Sequence, residues 1–222
     1  MQINVILDFL KDLSENNNRE WFTANKERYD VARGIFDDIS NKLIVGIGSF
    51  DKPILNVNVK DCTFRIYRDI RFSHDKTPYK THFGVYIAAH GGRKSPFAGY
   101  YLHLDPSGCF LASGVWCPAP NVLKALRQAV YDNIDELNEI REEKNFKKYF
   151  SHFAEDDKLK TVPAGFPKDF EYVELLKLKH YIAEYQMDEK ILSSEDFCER
   201  ITEIFKTAYP FNRFLNYTIE NL

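Results

Sequence analysis

A chain of 222 residues that is 44% hydrophobic, 15% aromatic and 28% charged can bury roughly 70% of its unfolded surface, which excludes disorder. Its 13 Tyr and 18 Phe supply core volume without disulfides or metal. A net charge of -3 opposes bulk affinity for nucleic acid, and no run approaches the roughly 18 uncharged apolar residues a membrane span needs.

In chain order, Val5, Ile6, Phe9, Leu10 and Leu13 recur every three and four residues and predict a first helix with one apolar face. Asn16, Asn17 and Asn18 suit a turn and a cap. A second helix opens at Glu20 and Trp21 and runs through Phe22, Tyr29, Ile35, Phe36 and Ile39, to be stopped by Gly46 and Gly48. After a connection at 51–58, residues 63–67, 82–90, 99–105 and 108–116 alternate as strands. Leu104-Asp105-Pro106-Ser107-Gly108 joins the last two as a tight hairpin, because Pro presets one turn dihedral and Gly accepts a positive one. Pro118 and Pro120 close the sheet, and Asn121 caps a helix carrying Val122, Leu123, Leu126, Ala129 and Val130. Helix follows over 134–150, loop over 155–170, helix over 170–178, a short strand over 181–185 and an amphipathic helix over 193–209.

Helices, then strands, then helices is the order of an α+β fold: a mainly antiparallel sheet of about four to five strands covered by helices from both ends of the chain. One domain over 1–222 is expected, with 155–169 the best place for a subdomain boundary. Cys62, Cys109, Cys117 and Cys198 form no CxxC pair, and the acidic first segment does not read as a signal peptide, so the expected compartment is the reducing cytoplasm.

Charge is unevenly spread. Residues 60–94 hold eight Lys or Arg against three Asp, +5 locally, and the rest of the chain holds 22 basic against 30 acidic residues, or -8. A basic island in an acidic protein points to a local site for a small anion, since Arg offers a planar fork that matches carboxylate or phosphate. The expected ligand residues are Arg65, Arg68, Arg71, Lys76 and Lys80, with Glu20 from the second helix. The plainer alternative pairs Arg65, Arg68 and Arg71 with Asp61, Asp69, Asp75 and acids of the first helices in a structural network.

Strand parity adds a floor to this site. Phe83, Val85, Ile87 and Ala89 share one face with Tyr100, Leu102 and Leu104. His82, Gly84, Tyr86, Tyr101, His103 and Asp105 share the other, which Arg65 and Tyr67 would join. Tyr86, His103 and Trp116 are therefore expected to line a pocket. Asp75 and His82 are the candidates for moving a proton if the protein is an enzyme, a question the sequence leaves open. No HxxxH, HExxH or CxxC spacing occurs and the strand histidines lack a paired carboxylate motif, so neither metal nor cofactor is expected. The alternative use of the same surface is a protein–protein or nucleic-acid interaction module. Nucleic acid is opposed by the acidic remainder of the chain, and the oligomeric state is not encoded in any motif.

The blocks FLKDLSENNNREWFTANKERYD (9–30), FRIYRDIRFSHDKTPYKTHFG (64–84), GYYLHLDPSGCFLASGVWCP (99–118) and PFNRFL (210–215), in this order, resemble the bacterial and fungal family called domain of unknown function 2461. The resemblance implies an intracellular single-domain protein and carries no activity with it.

Overall fold

The structure is a computed structural model that describes residues 2–155 and 157–222. Helix α1 (Gln2–Glu15) buries Ile3, Ile6, Phe9, Leu10 and Leu13. Val5, expected on the same face, is exposed. Asn18 caps α2 (Arg19–Ala24), its side chain accepting from the Trp21 amide at 2.9 Å. The expected long second helix is broken at Asn25, whose side-chain amide donates to the Trp21 carbonyl, the local competition with the backbone that makes Asn a poor helix interior. Helix α3 (Lys26–Gly48) then runs past Gly46.

A 3-10 turn (Lys52–Asn56) and α4 (Val59–Cys62) lead into residues 63–67. These form isolated bridges, Thr63 to Val85 and Tyr67 to Tyr79, in place of the expected strand. The sheet follows: β1 (Phe83–Ile87), β2 (Gly99–Leu104) and β3 (Phe110–Val115). Helix α5 (Pro120–Asp132) starts with Pro120 in its first turn and Ala119 at the cap, so Asn121 is inside the helix and does not cap it; proline's missing N–H costs nothing there. The expected single helix over 134–150 is two, α6 (Ile134–Glu142) and α7 (Lys144–Tyr149), because the Glu143 side chain accepts from the amides of Asn145 and Phe146 and starts a new helix. Strand β4 (His152–Phe153), the single turn α8 (Val173–Leu176), β5 (Tyr181–Gln186), the single turn α9 (Glu189–Leu192) and α10 (Phe197–Glu220) complete the chain.

The five strands form an antiparallel sheet in the order β1-β2-β3-β5-β4, and the Thr63 bridge covers the outer edge of β1. Helices α3 and α10 lie on one face, where Phe36 meets Phe83 at 5.2 Å and Phe205 meets Tyr100 at 5.3 Å between ring centroids. Most of the buried apolar residues, from Ile3 to Ile219, make one cluster, with Ala88, Ala112 and Ile182 outside it. Gly46 ends no helix: a Cβ there would stand 2.5 Å from the Thr202 hydroxyl oxygen, so glycine permits the close crossing of α3 and α10. Helix α10 also continues through Pro210, where a stop is expected. Phe211, Phe214, Leu215 and Ile219 beyond it are buried, and that packing outweighs one lost helical bond.

Two asparagines fix α10 to the sheet. Asn212, 1% exposed, accepts from the Ser113 hydroxyl and donates to the Gly99 carbonyl, both at 3.1 Å. Asn216 accepts from the Ala98 amide at 2.7 Å and returns a bond to the Ala98 carbonyl at 3.2 Å. Replacing Asn212 by Ala leaves buried polar groups unpaired, so urea denaturation of Asn212→Ala is expected to show a loss of about 2 kcal/mol with an unchanged m-value.

Candidate functional site

The sheet face turned away from α3 and α10 carries a pocket of about 550 Å³, within the size range of small-ligand sites. Its floor comes from alternate residues of the central strands: Tyr86 of β1, Tyr101 and His103 of β2, Phe110 and Ala112 of β3, and Ile182 of β5. The walls are the turn Gly92–Lys94 with its neighbours, which brings Arg93, and the exit from β3, which brings Trp116, Cys117 and Pro118. Alternation thus separates a core face from a pocket face.

Two contacts shape this floor. Gly114 has φ +126°, and a Cβ would fall 1.9 Å from the Tyr181 carbonyl oxygen, so only glycine allows β3 and β5 to approach there. The Tyr86 hydroxyl lies 2.8 Å from the Phe97 carbonyl and 2.9 Å from the Gly114 carbonyl and shares its single proton between them, and burial pushes its pKa up. With its hydroxyl engaged, Tyr86 offers the pocket a ring. Trp116, 61% exposed, is held by stacking on His180 at 4.1 Å, and the Cys117 amide donates to His180 Nδ1.

Tyr86, His103 and Trp116, expected at a pocket, line this one. His82 lies beside it, its ring 4.5 Å from that of His103. Burial pushes the His103 imidazole down to about 4, with the neighbouring His82 adding to the effect, and burial followed by Lys80 lowers His82. Both rings are therefore uncharged at neutral pH. Burial also raises the Tyr101 phenol to about 12. The Tyr101 hydroxyl meets His103 Nδ1 at 2.9 Å.

The basic island divides. Arg68 is committed to its own loop, bonded to Asp75 and to the carbonyl and hydroxyl of Thr77. Asp75 also accepts from the Thr77 amide at 2.9 Å, which together with Arg68 holds its carboxyl below the usual range. Arg71 pairs with Asp69, and the Lys76 ammonium donates to the Ile70 carbonyl at 3.0 Å. This loop is tied to the first helices by Asn17, whose side chain exchanges two bonds with the backbone of Tyr79. Glu20 sits in the first turn of α2 and is not among the pocket residues.

Lys80 and Arg65 stand differently. Lys80 lies 5.2 Å over the ring of Phe64, a pocket residue. Burial and then Arg65 lower its pKa. Neither forms an ion pair among the described residues, and neither does Arg93, whose guanidinium donates to the carbonyls of Lys60 and Thr63. The Thr63 bridge to Val85 turns Phe64 to the pocket side, one residue out of the parity that would have put Arg65 and Tyr67 there. Tyr67 instead packs on Phe22 and Tyr79. Arg93 is one of the eight basic residues of the island and follows Gly91-Gly92, a stretch that reads as a basic hairpin tip, but it is not among the expected ligand residues. Arg33 was also missed: from α3 it donates to the Phe64 carbonyl and the Thr63 hydroxyl and holds that edge.

A wider hollow of about 1020 Å³ borders α6, α7 and α10. Three of its six carboxylates are in structural use, Glu143 and Asp188 as helix caps and Asp196 as the partner of Arg200. No helix among the described residues is long and apolar enough to cross a membrane.

Tyr86→Phe removes the one proton that the Phe97 and Gly114 carbonyls share, and an expected loss of about 1–2 kcal/mol is read by denaturation. Arg68→Ala frees the loop that Arg68 closes: trypsin is expected to cut after Arg71 or Lys76 several times faster than in the unsubstituted chain, with the melting temperature nearly unchanged.

No curated protein and no solved structure matches the chain. A family model described as a conserved hypothetical protein (DUF2461) matches residues 5–214, and the chain belongs to that family.

Proposed function

We propose that the pocket binds a small ligand with a flat apolar body and an anionic group, carboxylate or phosphate. The observation that carries this reading is the combination of an aromatic floor with Arg93, a wall residue whose guanidinium has no carboxylate partner among the described residues. The rings of Tyr86, Phe110 and Trp116 suit the flat body, and Arg93 suits the anion. Lys80 and Arg65, beside Phe64, add positive charge next to the pocket.

Arg68, Arg71 and Lys76 serve this reading by building the loop next to Lys80. Phe72, 95% exposed in that loop, makes it the part of the basic segment suited to a macromolecular partner. The four cysteines are all unpaired, which fits a reducing compartment such as the cytoplasm. If the bound molecule is turned over, His82, beside the pocket residue His103, is the group of the basic segment proposed to accept a proton.

Thermal-shift screening with aromatic carboxylates, nucleotides and sugar phosphates tests the reading, since a ligand selective for the native state raises the melting temperature. A hit is expected to lose at least about tenfold in affinity in Arg93→Gln and to be blocked in Ala112→Phe, which fills the floor. Arg71→Gln is expected to bind as the unsubstituted chain does. Equal affinity in Arg93→Gln, Ala112→Phe and the unsubstituted chain would remove the pocket from consideration.

A further inference from the structure

Beside the pocket, His82, His103 and Asp105 each offer one ligand atom, and these atoms all lie within 4.8 Å of one another. The arrangement follows from the sheet. Gly84 pairs with His103 and Phe83 with Leu104, so His82, one step further along, faces Asp105 across the pair, and His103 and Asp105 share a face two residues apart. All three are half-buried, held on a strand or next to one and not on a mobile tip.

The outer contacts are those of a prepared site. His103 Nδ1 is engaged by the Tyr101 hydroxyl at 2.9 Å, and Nε2 lies 3.9 Å from Asp105 Oδ2. The other carboxylate oxygen, Oδ1, accepts from the Ser107 amide at 2.8 Å and the Ser107 hydroxyl at 2.6 Å. Each of these two ligands is thus oriented through one atom and leaves the other for the centre of the trio, as outer partners do around bound metals.

We propose that His82, His103 and Asp105 form a site for a divalent first-row transition ion of the zinc or iron class, bound by two imidazoles and one carboxylate. Ligand atoms about 2.1 Å from a shared ion stand about 3 to 4 Å apart, so small side-chain rotations bring this trio into register. The donor set selects the ion: one carboxylate with Lys80 nearby is too few oxygens for Ca2+ or Mg2+, whereas imidazole nitrogen suits the transition series. Three protein ligands leave at least one position open, and because His103 lines the pocket that position adjoins it. The inference stands on the trio's own geometry and is independent of the ligand reading above.

The test uses the full chain, stripped with a chelator, and Zn2+ or Co2+ alone, with no organic ligand present. Zn2+ competition against a chromophoric chelator is expected to give one tight equivalent. Co2+ is expected to give visible d–d bands without a thiolate charge-transfer band, which separates this trio from a site using Cys109 or Cys117. His82→Asn, His103→Asn and Asp105→Asn are each expected to weaken Zn2+ binding by at least about tenfold while circular dichroism stays unchanged. Where one of these fails to fold, Ser107→Ala, which only loosens Asp105, is read in its place and is expected to cost about tenfold. No uptake by the unsubstituted chain at a several-fold excess of Zn2+, a thiolate band with Co2+, or undiminished affinity in the folded variants overturns the proposal. The anion reading fails separately, by the absence of any thermal shift in metal-free protein.

Discussion

Helix α10 is held to the sheet by side-chain amides that behave like backbone. Asn216 forms the two bonds a neighbouring strand would give Ala98, and Asn212 reaches Gly99 and Ser113 in the dry layer between helix and sheet. Buried polar groups tolerate few arrangements, because an unmade bond there costs more than a made one gains. The axis and rotation of α10 are fixed as a result. Helix α3 is fixed through α10, since Gly46 allows the two backbones to come close at Thr202.

With both long helices committed to one face, the other face of the sheet is free to become a site. Its shape depends on Gly114, whose positive φ turns the end of β3 and lets β5 approach, and on Tyr86, whose hydroxyl ties that carbonyl to Phe97. The exit at Trp116 and Cys117 is pinned by His180 from the start of β5. The result is a pocket made of rigid strands and two short turns. The imidazoles beside it stay neutral because burial disfavours their charged forms.

Positive charge crowded in sequence is divided in space. Arg68 and Arg71 find acids two to seven residues away and stabilise a loop, an outcome that local chemistry favours whenever Asp and Arg alternate so closely. Lys80 stays with an aromatic ring. Arg93, from a separate turn, is the cation that lines the pocket. Arg paired with nearby acids adds rigidity to its loop.

The sequence alone determined the α+β class, the three central strands and their two faces, because alternation and turn residues are local and each strand contributes its own signal. The family followed from four ordered blocks. Tertiary structure decided what local signals cannot carry: that α10 passes Pro210 because Phe211, Phe214 and Leu215 are buried beyond it, and that Phe64 and not Arg65 faces the pocket. It also decided that His82 meets His103 and Asp105. Those facts depend on bridges and registers between residues up to about a hundred positions apart in the chain, and a long-range pairing leaves no mark on either partner's local pattern.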